Sequence, residues 1–537
     1  MQSHLDQQIF NWLNQLKIAV SFNYLKKELR SHPDYPSLSS ITDTLDQLGI
    51  ENAALVVDTE RMNELPLPFL AHTNKSGGEF VIVRKISTFN NSESNDYKNW
   101  NGVVIVAEKP EAFSNKENEE WLHKEKRSGY SMALVIALVI AISGLTLVAQ
   151  FSWILLGLVL SGLTGLFVAI LILLHELGHY SPLADQLCGI GKNTDCDAVM
   201  KSKGTTFIEG FNWADAGIIY FVATLLLLLA SSLTNTITGL NSILAIFSVC
   251  SLPFTFYSLY YQKQVVKKWC TLCLLTVGLL WVQAALFLPT LVRLDTSSIN
   301  LTSVTLLIVV LSFVSGVWFL LVKPLLNKEK KLTSENYSLL RFKNNPSIFE
   351  SLLKQQREVS VTPFADDLQL GNPYAKIQIM MACNPYCGPC AIAHEDLVKL
   401  LERADIGLTV RFTIKTENKE DKKIIAVKYL FQLLKGSNNQ YKRQVLHDWY
   451  SLMNFKSFSE KYALTEFPNV DDQLLENEQW SEESKIKGTP TIFINGYEMP
   501  KQYKISDLPG CITRLKNEIV QSYQENKSPQ VKLFIAQ

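Results

Sequence analysis

Ile377-Gln-Ile-Met-Met-Ala-Cys-Asn-Pro-Tyr-Cys-Gly-Pro-Cys390 is an apolar run that ends in a CxxC pair. The run over 377–382 predicts a strand, and the residues from the cysteines through about Arg403 predict a helix. A cysteine at a helix N-terminus meets free amide donors and the positive end of the helix dipole, and both stabilise its thiolate. Cys387 is therefore the expected attacking group and Cys390 the resolving one. A strand at Leu408–Ile414, helices across 420–463, a strand at Thr491–Asn495 and a last helix near 505–524 complete a βαβ-type α/β domain.

The remaining cysteines extend this chemistry. The chain has nine, none of them in the first 187 residues. Cys188 and Cys196 sit in a polar loop, and Cys270-Thr-Leu-Cys273 opens an apolar run. Three dithiols can hand on two electrons by successive thiolate attack on a disulfide. A structural zinc site would group four ligands on a soluble scaffold. Here one pair lies against a membrane span, and no second pair stands beside any of them in zinc-ribbon spacing. Cys383 and Cys511 offer a second resolving thiol or a disulfide partner, or else, like Cys250, read as buried free cysteines that pack as small hydrophobes.

At 537 residues the chain holds about three to four domains. Its net charge is zero, which removes the main electrostatic drive toward nucleic acid. Charged residues are 19% of the chain, against about 25% in soluble proteins. The deficit falls on residues 130–323. Six stretches there approach the about 20 apolar residues a membrane span needs: 130–149, 152–174, 214–233, 240–262, 269–289 and 302–323. Only Gln150-Phe151-Ser152 separates the first two, which predicts a tight helical hairpin. The second to fifth enclose the loop pair and the membrane CxxC, which predicts an all-α four-helix bundle with a pocket between its helices, plus extra spans. The start, MQSHLDQQIFNWLNQLK, lacks a cationic opening and an apolar core, so the spans are expected to set the topology.

Domain boundaries follow: 1–128, an α+β domain; 129–323, the membrane domain; 324–361, a charged linker with some helix; and 362–537. In the first, Ser37-Leu-Ser-Ser-Ile suits a helix N-cap, and β-like runs lie at Ala53–Val57, Phe80–Lys85 and Gly102–Ala107.

Cys387-Gly-Pro-Cys390 with Gly488-Thr489-Pro490 resembles the thioredoxin-like fold over roughly residues 362–525. The resemblance implies a cis proline at Pro490, exposing the Thr489–Pro490 backbone beside the dithiol to receive a substrate strand. Cys188-x7-Cys196-Asp-Ala-Val-x-x-Ser202, two spans and then Trp269-Cys-Thr-Leu-Cys273 resemble the vitamin K epoxide reductase family over about residues 150–290. That resemblance implies a quinone oxidant, ubiquinone or menaquinone, held in the bundle beside Cys273. It also implies exchange between Cys270 and Cys196, a meeting of Cys188 with the soluble domain, and a place for Ser202 at the quinone site. Asn212 and Trp213, just before the third span, are candidates for the quinone head group. Some family members carry a tyrosine four residues after the second CxxC cysteine. Here that position is Val277, which argues against vitamin K epoxide itself as substrate.

Two further motifs offer rival functions. His175-Glu176-Leu-Gly-His179 matches HExxH, the pattern of a zinc protease with two histidines one helical turn apart and a glutamate base. No third ligand is evident in the sequence, and no metal is expected. Pro36-Ser-Leu-x10-Leu-Gly49-Ile, Leu65-Pro-Leu-Pro-Phe, Ala71-His and Gly77-Gly-Glu-Phe-Val-Ile-Val resemble the papain-like domain of the C39 peptidases over about residues 8–110. A cysteine protease needs a thiol and a histidine base. This domain has no cysteine, and Glu79 stands where that family places its histidine. Peptide binding, as in a non-enzymatic component of a secretion system, or a folding or docking role is what is left to it.

Sidedness draws opposing expectations. Lys124, Lys126, Arg127, Lys263, Lys267, Lys268 and Lys328–Lys331 flank the same ends of the spans as every redox pair, which favours the cytoplasmic face. Disulfide chemistry and the family resemblance favour the periplasmic one. The expectation is a multi-pass inner-membrane thiol:quinone oxidoreductase that takes electrons from thiol-bearing client proteins or peptides.

Overall fold

The computed structural model describes residues 5–74, 78–90, 97–110, 115–149, 151–178, 182–188, 194–200, 202, 204, 206–208, 211–233, 239–293, 299, 301–362, 364, 367–403, 405–418, 420–466 and 468–512. Packing divides the chain into two compact units. Met1–Lys26, Val56–Val104 and Glu111–Asn336 make one; Lys27–Leu55, Ile105–Pro110 and Tyr337–Gln537 make the other.

In the N-terminal region, α1 (Leu5–Gln15), α2 (Phe22–Arg30) and α3 (Leu38–Leu48) precede β1 (Asn52–Val56), β2 (Phe69–Thr73), β3 (Glu79–Val83), the short α4 (Ile86–Asn90) and β4 (Trp100–Ala107). Ser37 caps α3 by accepting the Ser40 N–H at 3.2 Å, and Gly49 closes it at φ 75°. Strand β2 is absent from the sequence reading because Pro66 and Pro68 punctuate its start. It pairs antiparallel with β3, which sets Thr73 opposite Glu79. The buried Trp12 indole donates to the Pro68 carbonyl at 2.8 Å.

The long helices of the central region are α5 (Lys116–Ala149), α6 (Trp153–Leu177), α9 (Trp213–Leu233), α10 (Leu240–Tyr260), α11 (Thr271–Leu286) and α13 (Leu301–Val317), with the short α12 (Leu288–Val292) before the last. Between α6 and α9 lie α7 (Pro182–Cys188), α8 (Cys196–Met200) and a ribbon of β5 (Thr206–Ile208) and β6 (Phe211–Asn212). Among the described residues four helices are long and apolar enough to cross a membrane: Trp153–Leu177, Trp213–Leu233, Leu240–Val266 and Leu301–Lys343. The 25 residues of α6 reach about 37 Å at a rise of ~1.5 Å, ample for a hydrocarbon core of about 30 Å. The span expected at 269–289 is instead the 16-residue α11, entered from extended backbone at Cys270 and followed by α12 after Phe287.

Helices α6, α9, α10 and α11 form a bundle, and α13 packs on α9. Gly165 makes the α6–α9 approach possible, since a Cβ there would lie 2.1 Å from the Phe221 ring. The hairpin expected of the first two spans takes a different form, with α5 running chiefly along α9. A π-helical stretch, Trp318–Val322, carries α13 without a break into α14 (Lys323–Lys343). Much of the expected linker is therefore helix.

In the second unit α15 (Pro346–Lys354) leads to β7 (Leu368–Gly371), β8 (Ile377–Cys383), α16 (Gly388–Arg403), β9 (Ile406–Phe412), α17 (Lys422–Leu434), α18 (Asn439–Leu452), α19 (Phe455–Lys461), α20 (Asp471–Glu483), β10 (Thr491–Ile494) and β11 (Tyr497–Glu498). Asn345, Asp421, Asn438 and Asn454 cap α15, α17, α18 and α19 through side-chain oxygens. The sheet order is β11-β10-β8-β9-β7, with β8 parallel to β9 and antiparallel to β10. This is a thioredoxin-like fold. The end of α14 is held within this unit, where Arg341 Nε donates to the Arg30 carbonyl at 2.7 Å and Asn344 Nδ2 to that of Ser31 at 3.0 Å. The last helix expected near 505–524 is described only to residue 512.

Candidate redox sites

Strand β8 delivers the chain to Cys387, and α16 starts one residue later. The Cys387 sulfur accepts the Cys390 backbone N–H at 3.2 Å, and the Cys387 carbonyl accepts that of Ala391 at 3.2 Å. Antiparallel pairing sets Thr491 opposite Ala382, so the residues before Thr491 run on past the end of β8. The Thr489–Pro490 peptide is cis, and the Cys387 thiol points at the Thr489 carbonyl at 3.5 Å. Cys387 is partly exposed whereas Cys390 is fully buried. Burial, and then the neighbouring Cys387, push the Cys390 thiol up to about 12. One thiol is open to a partner; the other is withheld until exchange begins.

Behind this pair lie the buried Cys383 and a buried His394, of which the sequence disclosed only the first. Cys383 is fully buried, and burial pushes its thiol well above the ordinary range. His394 shares a face of α16 with Cys390, stacks at 5.2 Å on Tyr450, and has no hydrogen-bond partner on either ring nitrogen. Burial, then His447, lower its pKa to about 4. An unfolded histidine protonates near 6.5, so the folded state holds fewer protons between the two values and loses stability as pH falls through that window. At pH 4 the loss attributable to His394 is expected to be about 3 kcal/mol. Thermal unfolding of the full-length protein from pH 7 to 4.5 should show the decline, and His394→Leu should flatten it; an unchanged slope would refute the assignment. Cys511 is buried, its thiol donating to the Lys343 carbonyl at 3.0 Å. Cys250 departs from expectation: it is exposed on the outside of α10.

In the membrane unit, Cys188 and Cys196 form a disulfide with Cα atoms 5.8 Å apart. Asp195 caps α8 by accepting the Ala198 N–H at 2.9 Å, and its own N–H donates to the Trp269 carbonyl at 2.9 Å. That bond stitches the Cys196 loop beside Cys270. Cys196, at 3% exposure, and Cys270, at 0%, share one packed cluster with Val168, Leu171 and Leu272, whereas Cys188 lies at its half-exposed edge. The Cys270 N–H donates to the buried Gln262 at 2.8 Å, and its sulfur caps α11 by accepting the Cys273 N–H at 3.4 Å.

Cys273, which packs against the same cluster, also lines a cavity of about 300 Å³. Asn212, Trp213, Tyr220 and Glu176 line it with Phe221, Phe254 and Leu280. Trp213 is held by its indole N–H on the Gly204 carbonyl at 3.0 Å and packs 4.5 Å from Phe254. Asn212 donates its side-chain amide to the Glu176 carboxylate. Ser202 is not among the lining residues; its hydroxyl donates to the Val199 carbonyl at 2.5 Å, closing α8. Val277 is buried and also outside the lining, while Tyr220 brings a phenol to the cavity from α9. Glu176 and Tyr220 were not legible as cavity residues. An HExxH match drew the first toward zinc, and the second is one aromatic in an apolar run. His179 lies outside the described residues. Among the described residues no group of three or more His, Cys, Asp or Glu side chains is placed to hold a metal.

Residues 153–288 match the model of the vitamin K epoxide reductase family, residues 365–514 that of thioredoxin, and residues 11–92 that of the peptidase C39 family. The chain is a fusion of these three kinds of domain. A vitamin K epoxide reductase-family domain joined to a thioredoxin-like one makes it a thiol–disulfide oxidoreductase, with helices that suit a membrane protein. Solved structures similar to part of it include oxidised BdbD from Bacillus subtilis, 12% identical over 30% of this chain and 98% of that one at a TM-score of 0.24. Wolbachia pipientis alpha-DsbA1 is 14% identical over 30% and 97% at 0.25, and Chlamydia trachomatis DsbA is 15% identical over 30% and 97% at 0.24. No curated protein matches the chain. In the C39-like region, Glu79 opens β3 opposite Thr73, and His72 meets the Asn101 amide at 2.6 Å.

Proposed function

We propose that the chain is a membrane thiol:quinone oxidoreductase supporting disulfide formation. The observation that carries this reading is the place of the membrane dithiol between the Cys196 cluster and a cavity. Cys270 is buried in the cluster that holds Cys196, while Cys273 faces an apolar cavity bearing Asn212 and Trp213. Mostly apolar walls with a few polar groups suit the flat, carbonyl-bearing ring of a ubiquinone or menaquinone.

Client thiols reduce the Cys387–Cys390 disulfide and leave as a client disulfide. The Cys387 thiolate attacks Cys188 of the loop disulfide, and Cys390 resolves the mixed bond. The freed Cys196 thiolate attacks Cys270 of the membrane disulfide, and Cys188 resolves that bond. The Cys270–Cys273 dithiol closes to a disulfide as two electrons and two protons pass to quinone, which departs as quinol. Each step exchanges one disulfide for one dithiol. Thr489 and Pro490 present backbone to the client strand, and Ser202 serves by closing the Cys196 helix.

The test is quinone reduction by the purified protein, driven by a reduced peptide. Turnover is expected to survive a zinc chelator and His179→Ala. One tightly bound zinc per chain, lost in that variant together with activity, would favour the metalloprotease reading instead.

The relay also requires its pairs to share one side of the membrane. Two spans, α9 and α10, separate Cys196 from Cys270, and the relay requires α11 with α12 to cross once and α13 once more between Cys273 and Cys387. An impermeant thiol reagent applied to intact, pre-reduced cells is expected to label Cys188 and Cys387 together or neither. Labelling of one alone would break the relay.

A further inference from the structure

The residues matched to the vitamin K epoxide reductase family end at 288, yet the cavity's polar edge is tied to the helix that follows. Asp215 lies in the first turn of α9 and is 2% exposed. Its Oδ2 accepts the Asn212 backbone N–H at 2.8 Å, one half of a capping box, which fixes the residue whose side chain lines the cavity. A carboxylate this deep needs partners. Both come from Leu301–Lys343: the Trp318 indole N–H donates to Oδ1 at 2.9 Å, and the Lys323 ammonium pairs with Oδ2. Lys323 is the first charge after the apolar run 301–322, so the pair sits where that run ends.

The same helix also reaches Glu176. Lys330 Nζ donates to the Glu176 backbone carbonyl at 3.2 Å, and Glu176 accepts the Asn212 amide. Three side chains of one helix thus hold both partners of the Asn212–Glu176 pair. The Asn212 amide has a second N–H and a carbonyl to offer a ligand.

We propose that this last helix is part of the quinone site, with Lys323 and Trp318 as positioning residues that act through Asp215 to aim the Asn212 amide at a quinone carbonyl. The inference rests on the quinone reading of the cavity. Without Lys323 the buried Asp215 carboxylate loses its charge partner and must reorganise, and the backbone of Asn212 moves with it. Trp318→Phe is the milder probe, since it removes only the indole N–H and keeps an aromatic ring in place.

The experiment uses the full-length protein and a short-tailed ubiquinone. Quinone KM and kcat are measured with a reduced peptide, and the quinone Kd by tryptophan quenching. Lys323→Met and Trp318→Phe are each expected to raise KM and Kd about tenfold, the effect of one lost polar interaction, with kcat within about twofold. Lys323→Arg should restore both constants to within about twofold. Disulfide exchange between Cys387 and the peptide should not change in any variant. A merely structural role would lower thermal stability and leave KM and Kd alone. Wild-type binding with unchanged constants in folded Lys323→Met and Trp318→Phe would overturn the positioning role only. Absence of saturable quinone binding by the wild type would overturn both the positioning role and the quinone reading.

Discussion

Cys273→Ser is expected to lower thiol-driven quinone reduction by at least about 10³-fold while leaving exchange between Cys387 and peptides within about twofold. Cys273 is the one redox cysteine that lines the cavity, and its partner Cys270 is fully buried on the side of the loop disulfide. A serine hydroxyl cannot form the disulfide that closes when two electrons leave, so the dithiol has no oxidised state. The soluble dithiol keeps all of its own chemistry, because its helix, its cis proline and its buried partner lie in a separate unit. The check is quinol formation by absorbance, alongside peptide disulfide formation in the absence of quinone. Cys270→Ser is expected to give the same loss from the other side of the pair, by removing the group that Cys196 attacks. Full quinone reduction by Cys273→Ser would mean that electrons leave by another route.

Cys390→Ser is expected to convert the chain from a catalyst to a trap. The partly exposed Cys387 still attacks, and with the Cys390 thiol replaced by a hydroxyl nothing remains to resolve the mixed disulfide. The expected products are links from Cys387 to client proteins and an internal link to Cys188, the half-exposed member of the loop pair. Cys196, at 3% exposure beside Cys270, is the less accessible target. Non-reducing electrophoresis and peptide mapping should find these links in most of the protein, and reductant should release them. Client links without any link to Cys188 or Cys196 would sever the soluble pair from the membrane pairs.

Much of this was readable from local pattern. An apolar run entering CxxC specified the junction of β8 and α16, because a strand followed by a helix start is what puts a thiol on free amides. Length and hydropathy found α6, α9, α10 and α13. Where reading failed, packing or register decided. Strand β2 hides behind two prolines, and α20 hides in an acidic stretch whose buried side is only Gln473, Leu474, Asn477 and Trp480. The charged linker was expected to hold some helix, and its first part continues α13 as helix because nothing in Lys323–Lys343 breaks one beyond Pro324, which falls in its first turn. At the cavity, Asn212 and Trp213 were accessible from their place before a span. Glu176, Asp215, Trp318 and Lys323 were not, since residues 36 to 108 apart in sequence meet there only after the helices pack. His394 carries no local signal at all: its burial comes from Tyr450 on another helix.

The most direct measurement is the stoichiometry of the purified full-length protein given a reduced dithiol peptide and a short-tailed quinone. The account predicts one quinol for each peptide disulfide in the wild type, and loss of quinol formation in both Cys387→Ser and Cys273→Ser. Quinol formation at the wild-type rate in Cys387→Ser would contradict it, because electrons would then reach the cavity without passing through the soluble dithiol.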